Sequence, residues 1–471
     1  MVKEKPNVLF ITTDHQRADS LGMVQAGIEV TPNLNRLALE GANFSRAYST
    51  CPLCIPARTA LATGKYPTRT GIYYNDGKGI RAQDHKPIHQ FLAEAGYEIG
   101  HSGIHHIRLN PSLEERVNFS KWVDRSSFDY NYKGRGCATK EMAASAYRMP
   151  FRKEVEDLQN GKYVKVKYSN TKIGVWPFPQ EWFIDNYFCR ESIEFLKRRR
   201  SDPFALFVNL WAPHPPLIVP EPYASLFDPD KIDLPANVGI PAKDEPAGRR
   251  RSVAAQLAEG LTIEQWGKVW AAHLGLVNLA DTIIGQIIQA LKDSGQYDNT
   301  IILFMSDHGD HLGQHCMYQK MEMYEQAIKI PMVIRIPAAA PQSVDSLVSH
   351  IDVMPTLLEL LGIAGPDDLD GISLAESILS GAVVTDRPVF SQYSGNANLG
   401  NIRRAVITKR YKYVYDPSDT AELYDLQDDP LEMKNLAVDN SHKDIVRELH
   451  KQCESWASTH DDWVSFSACR D

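Results

Sequence analysis

The sequence predicts an α/β protein built on a mainly parallel sheet, with a smaller antiparallel sheet and a helix at its C-terminal end. Three observations carry this reading. Short apolar runs alternate with helical spacing over residues 1–380, the pattern of a sheet covered by helices. Three of those runs lead into Asp14, His214 and Asp307. From about residue 385 the apolar period shortens to two, with Ala405, Ile407, Tyr411, Tyr413 and Tyr415. We therefore expect residues 1–384 to form the main α/β domain and 385–471 a C-terminal subdomain.

Residues 7–13 read as a buried strand ending at Asp14. Thr31 is the expected N-cap, and Pro32 the first residue, of a helix stopped by Gly41. A strand-like run covers 42–48, a helix opens at Pro56 and ends at Gly64, and 96–100 is a short strand. Helical spacing over 183–200 closes on Lys197-Arg198-Arg199-Arg200, cations suited to a last helical turn. Residues 204–211 form a strand running into Pro213-His214-Pro215. A long helix covers 266–294, and the most continuous apolar strand covers 299–306 and ends at Asp307. A strand at 331–336 and a helix at 352–362 follow. The alternating run 404–415 precedes Leu423-Tyr424-Asp425-Leu426 and a terminal helix over 441–457. Two charged stretches of weak periodicity, 110–182 and 228–262, read as insertions or loops, with the arginines at 249–251 solvated.

Composition narrows the function. The 471 residues carry 51 Lys+Arg against 59 Asp+Glu, a net charge of −8, so nothing favours nucleic acid as a partner. With 43% hydrophobic and 23% charged residues the chain can bury a large core, which excludes disordered and collagen-like classes. Seven cysteines are too sparse for a disulfide framework. No run reaches the ~18 apolar residues of a membrane span, and Asn7–Ile11 is too short for a signal sequence. A cytoplasmic enzyme without membrane contact is the expectation.

Ligands of parallel sheets sit beyond the carboxyl ends of the strands, so Asp14, His214 and Asp307 mark a candidate site. Asp14 alone is a helix cap as readily as a metal ligand. Two carboxylates and the imidazole of His308 at one sheet edge are better explained by a hard cation. The strongest local signal is Cys54-Ile55-Pro56-Ala57-Arg58-Thr59-Ala60-Leu61-Ala62-Thr63-Gly64. Its spacing places position 54 at a helix N-terminus, which favours an anionic substrate. Cys51-Pro52-Leu53-Cys54 also admits a redox pair or half a zinc site, but no second pair completes the zinc site.

The eleven-residue run resembles the signature of formylglycine-dependent sulfatases, members of the alkaline phosphatase superfamily. The resemblance extends along the chain. Asn7–Asp14 is similar to the family's first strand, Ser306–Gly313 to its second metal segment, and Pro213-His214-Pro215 to a substrate-contacting segment. Asp352–Thr356, Glu422–Leu426, Asp429-Pro430 and Asn435-Leu436 resemble its later landmarks. The resemblance implies an alkaline-phosphatase-like fold. It also implies that a formylglycine-generating maturation enzyme oxidises Cys54 to an aldehyde, which hydrates to a nucleophilic diol. The implied metal set is Asp14, Asp307, His308 and the oxidised Cys54, with Ca²⁺ expected and Mg²⁺ or Mn²⁺ open.

The same resemblance gives catalytic roles to Arg58, His106, His214 and Lys320, with His214 and Lys320 also binding substrate. In the expected reaction the metal and Lys320 hold the developing charge, and His214 protonates the departing alkoxide of a small-molecule sulfate ester. His106 then deprotonates the second hydroxyl, releasing inorganic sulfate. Asp310 and His311 are assigned to structure, and Asp281 to packing or capping.

Several positions depart from the family pattern. His15 stands where many members carry a second Asp, and His308 where many carry Asn. In Gly103-Ile104-His105-His106, Ile104 replaces a lysine that neutralises the nucleophile and sulfate. The phosphonate monoester hydrolase branch, which the resemblance implies also lacks that lysine, offers the alternative activity. Asn75, beside Tyr73 and Tyr74, would then bind substrate. A non-catalytic anion binder is the remoter reading. Specificity for the alcohol is assigned to loops 110–182, 228–262 and 393–403, with Tyr393, Asn396, Asn398, Arg403 and Arg404 facing it. Family members often self-associate, which leaves a homo-oligomer open.

Overall fold

Strand Asn7–Thr13 has apolar or β-branched side chains on both faces and is buried throughout, so it occupies the middle of its sheet. In the computed structural model, which describes residues 5–75, 82–127, 149–381 and 387–467, it pairs in parallel with two neighbours. Phe204–Asn209 lies on one side and Thr300–Ser306 on the other. Glu98–Gly103 and Phe119–Val123 continue the parallel order outward from Phe204–Asn209. Beyond Thr300–Ser306, Met332–Arg335 runs antiparallel, followed by Ala42–Phe44 and Gln342–Val344 in an eight-stranded sheet. Alternate residues of one strand feed opposite layers: Leu9 and Ile11 join one apolar cluster, Val8 and Phe10 the other.

The expected strands and helices are present with informative differences; the helix expected over 183–200 ends at Leu196, so Lys197–Arg200 follow it and do not form its last turn. The long helix spans Ile263–Asp293, starting before 266, because Thr262 and Gln265 close a capping box. Its length and composition would suit a bilayer, yet 67% of its most apolar window is buried, and Trp266 and Trp270 are enclosed by protein. The run 42–48 divides into Ala42–Phe44 and Ala47–Tyr48, which join different sheets. The run 404–415 divides likewise into Ile402–Ile407 and Tyr411–Tyr415, antiparallel neighbours. With Val389–Ser394 and Glu422–Asp425 they make a four-stranded antiparallel meander, against which helix Lys443–Thr459 packs through Leu449 and Cys453. The boundary expected at 384/385 lies outside the described residues.

Tertiary partners overturn three local expectations. Thr31 does occupy the N-cap position of helix Pro32–Glu40, but its hydroxyl donates to the Ser20 carbonyl. The cap is Asp281, whose carboxylate accepts from Leu34 N (2.8 Å), Asn33 N (3.0 Å) and Asn33 Nδ2 (2.7 Å). Arg249 is not solvated. It is 1% exposed and pairs with Glu422, with Asp416 at 3.2 Å and with Glu322 at 3.6 Å. Within 110–182, Arg152–Gln159 and Lys162–Ser169 form a regular hairpin. Its turn residues Asn160 and Gly161 both have positive φ, the backbone an Asn-Gly turn favours.

Asp281→Ala would leave the buried N–H groups of Asn33 and Leu34 without an acceptor. We expect a loss of about 2 kcal/mol, read as a lower urea midpoint at unchanged m-value.

Candidate active site

The signature folds as the wholly buried helix Cys54–Thr63, ended by Gly64 in the left-handed conformation (φ +67°). Cys54 is its first residue, two positions before the start expected at Pro56, so position 54 does lie at the helix N-terminus. The N–H of Ile55 donates to Asn75 Oδ1 (3.1 Å), and Asn75 is tied in turn to Asn396. One turn on from Cys54, Arg58 faces the strand ends. Its Nε donates to Asp307 Oδ2 (2.7 Å), and Nη2 to Asp14 Oδ2 (3.3 Å) and the Thr13 carbonyl (3.2 Å). Nη1 reaches Thr12 Oγ1, Asn209 Oδ1 and the Ile104 carbonyl, each at 3.1 Å. All five donors are thus engaged, and Arg58 holds the two carboxylates, one of the two roles expected for it. Gly103 permits this gathering of strand ends: a Cβ there would stand 1.9 Å from the Asn209 carbonyl oxygen.

Around Cys54 Sγ the sheet edge delivers Asp14 Oδ1 at 3.4 Å and His308 Nε2 at 3.3 Å, with Lys320 Nζ against the sulfur. Asp14, His15, Cys54 and His308 each offer a ligand atom, all within 4.8 Å of one another. Asp307 Oδ1 lies 3.6 Å from His308 Nε2. The structure therefore brings together the whole expected set of Asp14, Asp307, His308 and Cys54, and adds His15. His106 joins from the other side, Nδ1 at 3.7 Å from Asp14 Oδ2. His106 and His15 both hold left-handed backbone (φ 55° and 69°), strain typical of functional positions.

The charges set the chemistry. Burial and the neighbouring Asp307 push the Asp14 carboxyl up. Burial acts on Asp307 too, but Arg58, His308 and Lys320 together outweigh it and hold that carboxyl below its ordinary range. Burial opposes the charge on Lys320, yet Cys54, Asp14 and Asp307 keep its ammonium charged. Burial, then Asp14, pushes the Cys54 thiol well up, and burial does the same to Cys51. Both cysteines are free thiols, and such high thiol pKa values disfavour the redox reading of the pair. Burial holds His106 and His214 below the usual imidazole range, helped at His214 by Lys320.

A pocket of about 600 Å³ includes His214 and Lys320 in its wall, with Asn75, Tyr168, Arg152 and Trp211. The His214 ring lies over Trp211, centroids 3.9 Å apart, and meets His15 edge-on at 4.5 Å. Asn396 borders the pocket, but Tyr393, Arg403 and Arg404 do not face an alcohol: all are buried, and Arg403 pairs with Glu322 at 3.2 Å. Ile104 packs its side chain against the apolar core. Sequence reasoning missed Asn209, Arg152 and Tyr168. The Asn160-Gly161 turn was the available signal for the hairpin that brings the last two to the pocket.

In Arg58→Met two buried carboxylates lose their counter-ion, an expected cost of about 3–5 kcal/mol. In the wild type, depressed Asp307 gives stability that is full above about pH 4 and lost as pH falls below it. The variant's carboxyl pKa values rise instead, so its stability declines as pH increases. Urea unfolding should show a wider gap between the two proteins at pH 8 than at pH 5.

The sulfatase family model matches residues 6–363, and the C-terminal model of N-sulphoglucosamine sulphohydrolase matches 313–459. An arylsulfatase of Clostridium perfringens is 28% identical over 456 residues, covering 95% of this chain and 93% of that protein. A choline-sulfatase of Rhizobium meliloti is 29% identical over 459 residues, covering 93% and 83%. The crystal structure of a phosphonate monoester hydrolase of Agrobacterium radiobacter superposes with a TM-score of 0.78 at 25% identity, covering 97% and 96%. With its α/β architecture and its signature helix set against the metal-type strand ends, the chain belongs to the sulfatase family, within the alkaline phosphatase superfamily.

Proposed function

We propose that the protein hydrolyses sulfate esters of small molecules at position 54 and releases inorganic sulfate. The observation that carries the reading is the setting of Cys54: first residue of a buried helix, between Asp14, His308 and Lys320. Oxidised to formylglycine by a maturation enzyme and hydrated, position 54 supplies a hydroxyl nucleophile for sulfur and a second hydroxyl for product release. Asp14, Asp307 and His308 would hold a divalent cation, which would supply Lewis-acid stabilisation of the ester oxygens. The donors fit such an ion: two carboxylates converge on an imidazole whose Nδ1–H is taken by the Gly309 carbonyl (3.0 Å), leaving the Nε2 lone pair on the site side.

The chain's own residues do the rest. Arg58 keeps both carboxylates in place across neighbouring strands. The charged ammonium of Lys320 opposes negative charge growing on the transferred group. His214 gives the proton to the departing alkoxide, since an anionic ester opposes the burial and the Lys320 repulsion that keep the ring neutral. His106, neutral and near Asp14, takes the proton of the second hydroxyl. Asn75 orders the helix end through Ile55 while bordering the pocket.

Ile104 favours a second reading, hydrolysis of singly charged phosphonate monoesters or phosphodiesters at the same groups, because it removes a cation from the anion site. Protein shown by peptide mass spectrometry to carry the aldehyde is assayed on an aryl sulfate and an aryl phosphonate monoester. We expect faster sulfate turnover, abolished in Cys54→Ala and lowered about 10²–10³-fold in kcat/KM by Lys320→Ala. Normal turnover by Cys54→Ala overturns the mechanism, and faster phosphonate turnover overturns the substrate preference.

A further inference from the structure

The pocket over His214 and Lys320 is more positive than the transfer of one sulfate group requires. The wall of this 600 Å³ cavity also carries Arg125 and Arg152, and among the described residues no carboxylate lines it. The chain as a whole has a net charge of −8, so an all-cationic wall is a local feature. Lys320 meets the singly charged ester group, which leaves two guanidinium groups without a part in the reaction. Neither forms an ion pair with a described residue. The buried arginines differ: Arg58, Arg249 and Arg403 are all matched by carboxylates.

The fold fixes where both groups stand. Arg125 follows strand Phe119–Val123, at the same carboxyl edge of the sheet that delivers Asp14 and Asp307. Its neighbour Asp124 is turned to Ser126 Oγ (2.7 Å) and Ser127 N (2.9 Å). Arg152 opens the hairpin, opposite Ser169, and its Nη1 donates to the Lys167 carbonyl (3.1 Å). That hairpin is fastened to the site. Gln319 Nε2, one residue before Lys320, donates to the Ser169 carbonyl (2.6 Å). The N–H of Asn160 donates to the Leu399 carbonyl (2.6 Å), in the loop that carries Asn396. Beyond the hairpin, Ile173–Val175 pairs with Leu217–Val219, the strand that follows His214. Arg152 is thereby held relative to the reacting groups.

We propose that Arg125 and Arg152 form a second anion subsite, and that the alcohol of the substrate carries a further anionic group, a carboxylate or a second sulfate. The proposal rests on the sulfate ester reading above and names the class of ester. A guanidinium fork takes either oxyanion through paired hydrogen bonds. Anchoring of Nη1 on the hairpin reduces the freedom Arg152 loses on binding. Between the two charges, Trp211, Tyr168 and Pro215 offer a flat wall for a ring.

Aldehyde-bearing protein is assayed on phenyl sulfates with a carboxylate ortho, meta or para to the ester, each beside its carboxamide. The three benzenediol bis-sulfates are assayed beside phenyl sulfate, with rates taken per ester. A carboxamide withdraws electrons more strongly than a carboxylate, so leaving-group chemistry favours the neutral partner and a preference for the charged one reports binding. In the wild type at least one charged ester should exceed its neutral partner about tenfold in kcat/KM. The ratio within each protein cancels the fraction converted and any change in overall activity. Arg125→Gln and Arg152→Gln should each lower it, and the double variant should bring it to about one. Arg152→Lys, which keeps the charge and loses the fork, should retain part of the preference, as a merely structural arginine would not. Preference for a carboxylate alone assigns a carboxylate-bearing alcohol, and preference for a bis-sulfate alone a doubly sulfated one. Equal rates for charged and neutral partners in the wild type, or an undiminished ratio in the double variant, overturn the subsite. Turnover of no sulfate ester by the wild type overturns the sulfate reading on which it rests.

Discussion

The guanidinium of Arg58 is the interaction on which the site depends. Thr13 pairs with Ser306 in the parallel register, so the carboxylates of Asp14 and Asp307 leave neighbouring strands side by side. Both are buried, and two such charges removed from water cost several kcal/mol each unless they are paired and hydrogen-bonded. Arg58 meets this demand from a helix, with a planar fork that reaches both carboxylates and four further acceptors near the strand ends. Because Cys54 lies four residues earlier on the same helix, one turn fixes the nucleophile position relative to the charges. The four-residue spacing within the signature is therefore a geometric requirement.

Lys320 is held with comparable rigidity by different means. Its loop carries left-handed non-glycine residues at Gln319 (φ 67°) and Met321 (φ 85°), conformations that persist only where surrounding contacts enforce them. Immediately beyond, buried Glu322 lies between Arg249 and Arg403, and those arginines also reach Asp416 in the C-terminal part. The C-terminal meander is thus tied, through buried ion pairs, to the loop that presents the cation. Breaking one partner of such a network leaves an uncompensated charge, so sheet and loop stand or fall together.

Ile104 leaves the frame of the site intact while changing its charge. Its carbonyl still serves Arg58, so the strand end keeps its structural duty while its side chain turns to the core. In the proposed reaction, Lys320 and the metal ion would then supply the positive charge near the transferred group. A single ammonium matches a singly charged sulfate or phosphonate monoester better than a phosphate dianion, in keeping with sulfatase and phosphonate hydrolase relatives on one fold.

The sequence by itself determined the parallel order of alternating strands and helices, the strand ends bearing Asp14 and Asp307, and the helix carrying Cys54 and Arg58. These are local facts: apolar period, a Pro near the helix start, a Gly at its end, and motif spacing. Only the tertiary structure decided which helix end Asp281 caps in place of Thr31, and that Arg249 is buried and not solvated. The same holds for Arg403 and Arg404, which serve the interior instead of the pocket. It alone placed His15 between Asp310 and the donors of the site. The physical reason is common to all of these. Polar side chains are committed by long-range partners, Asp310 being 295 residues from His15, and pairing at that separation leaves no trace in local spacing.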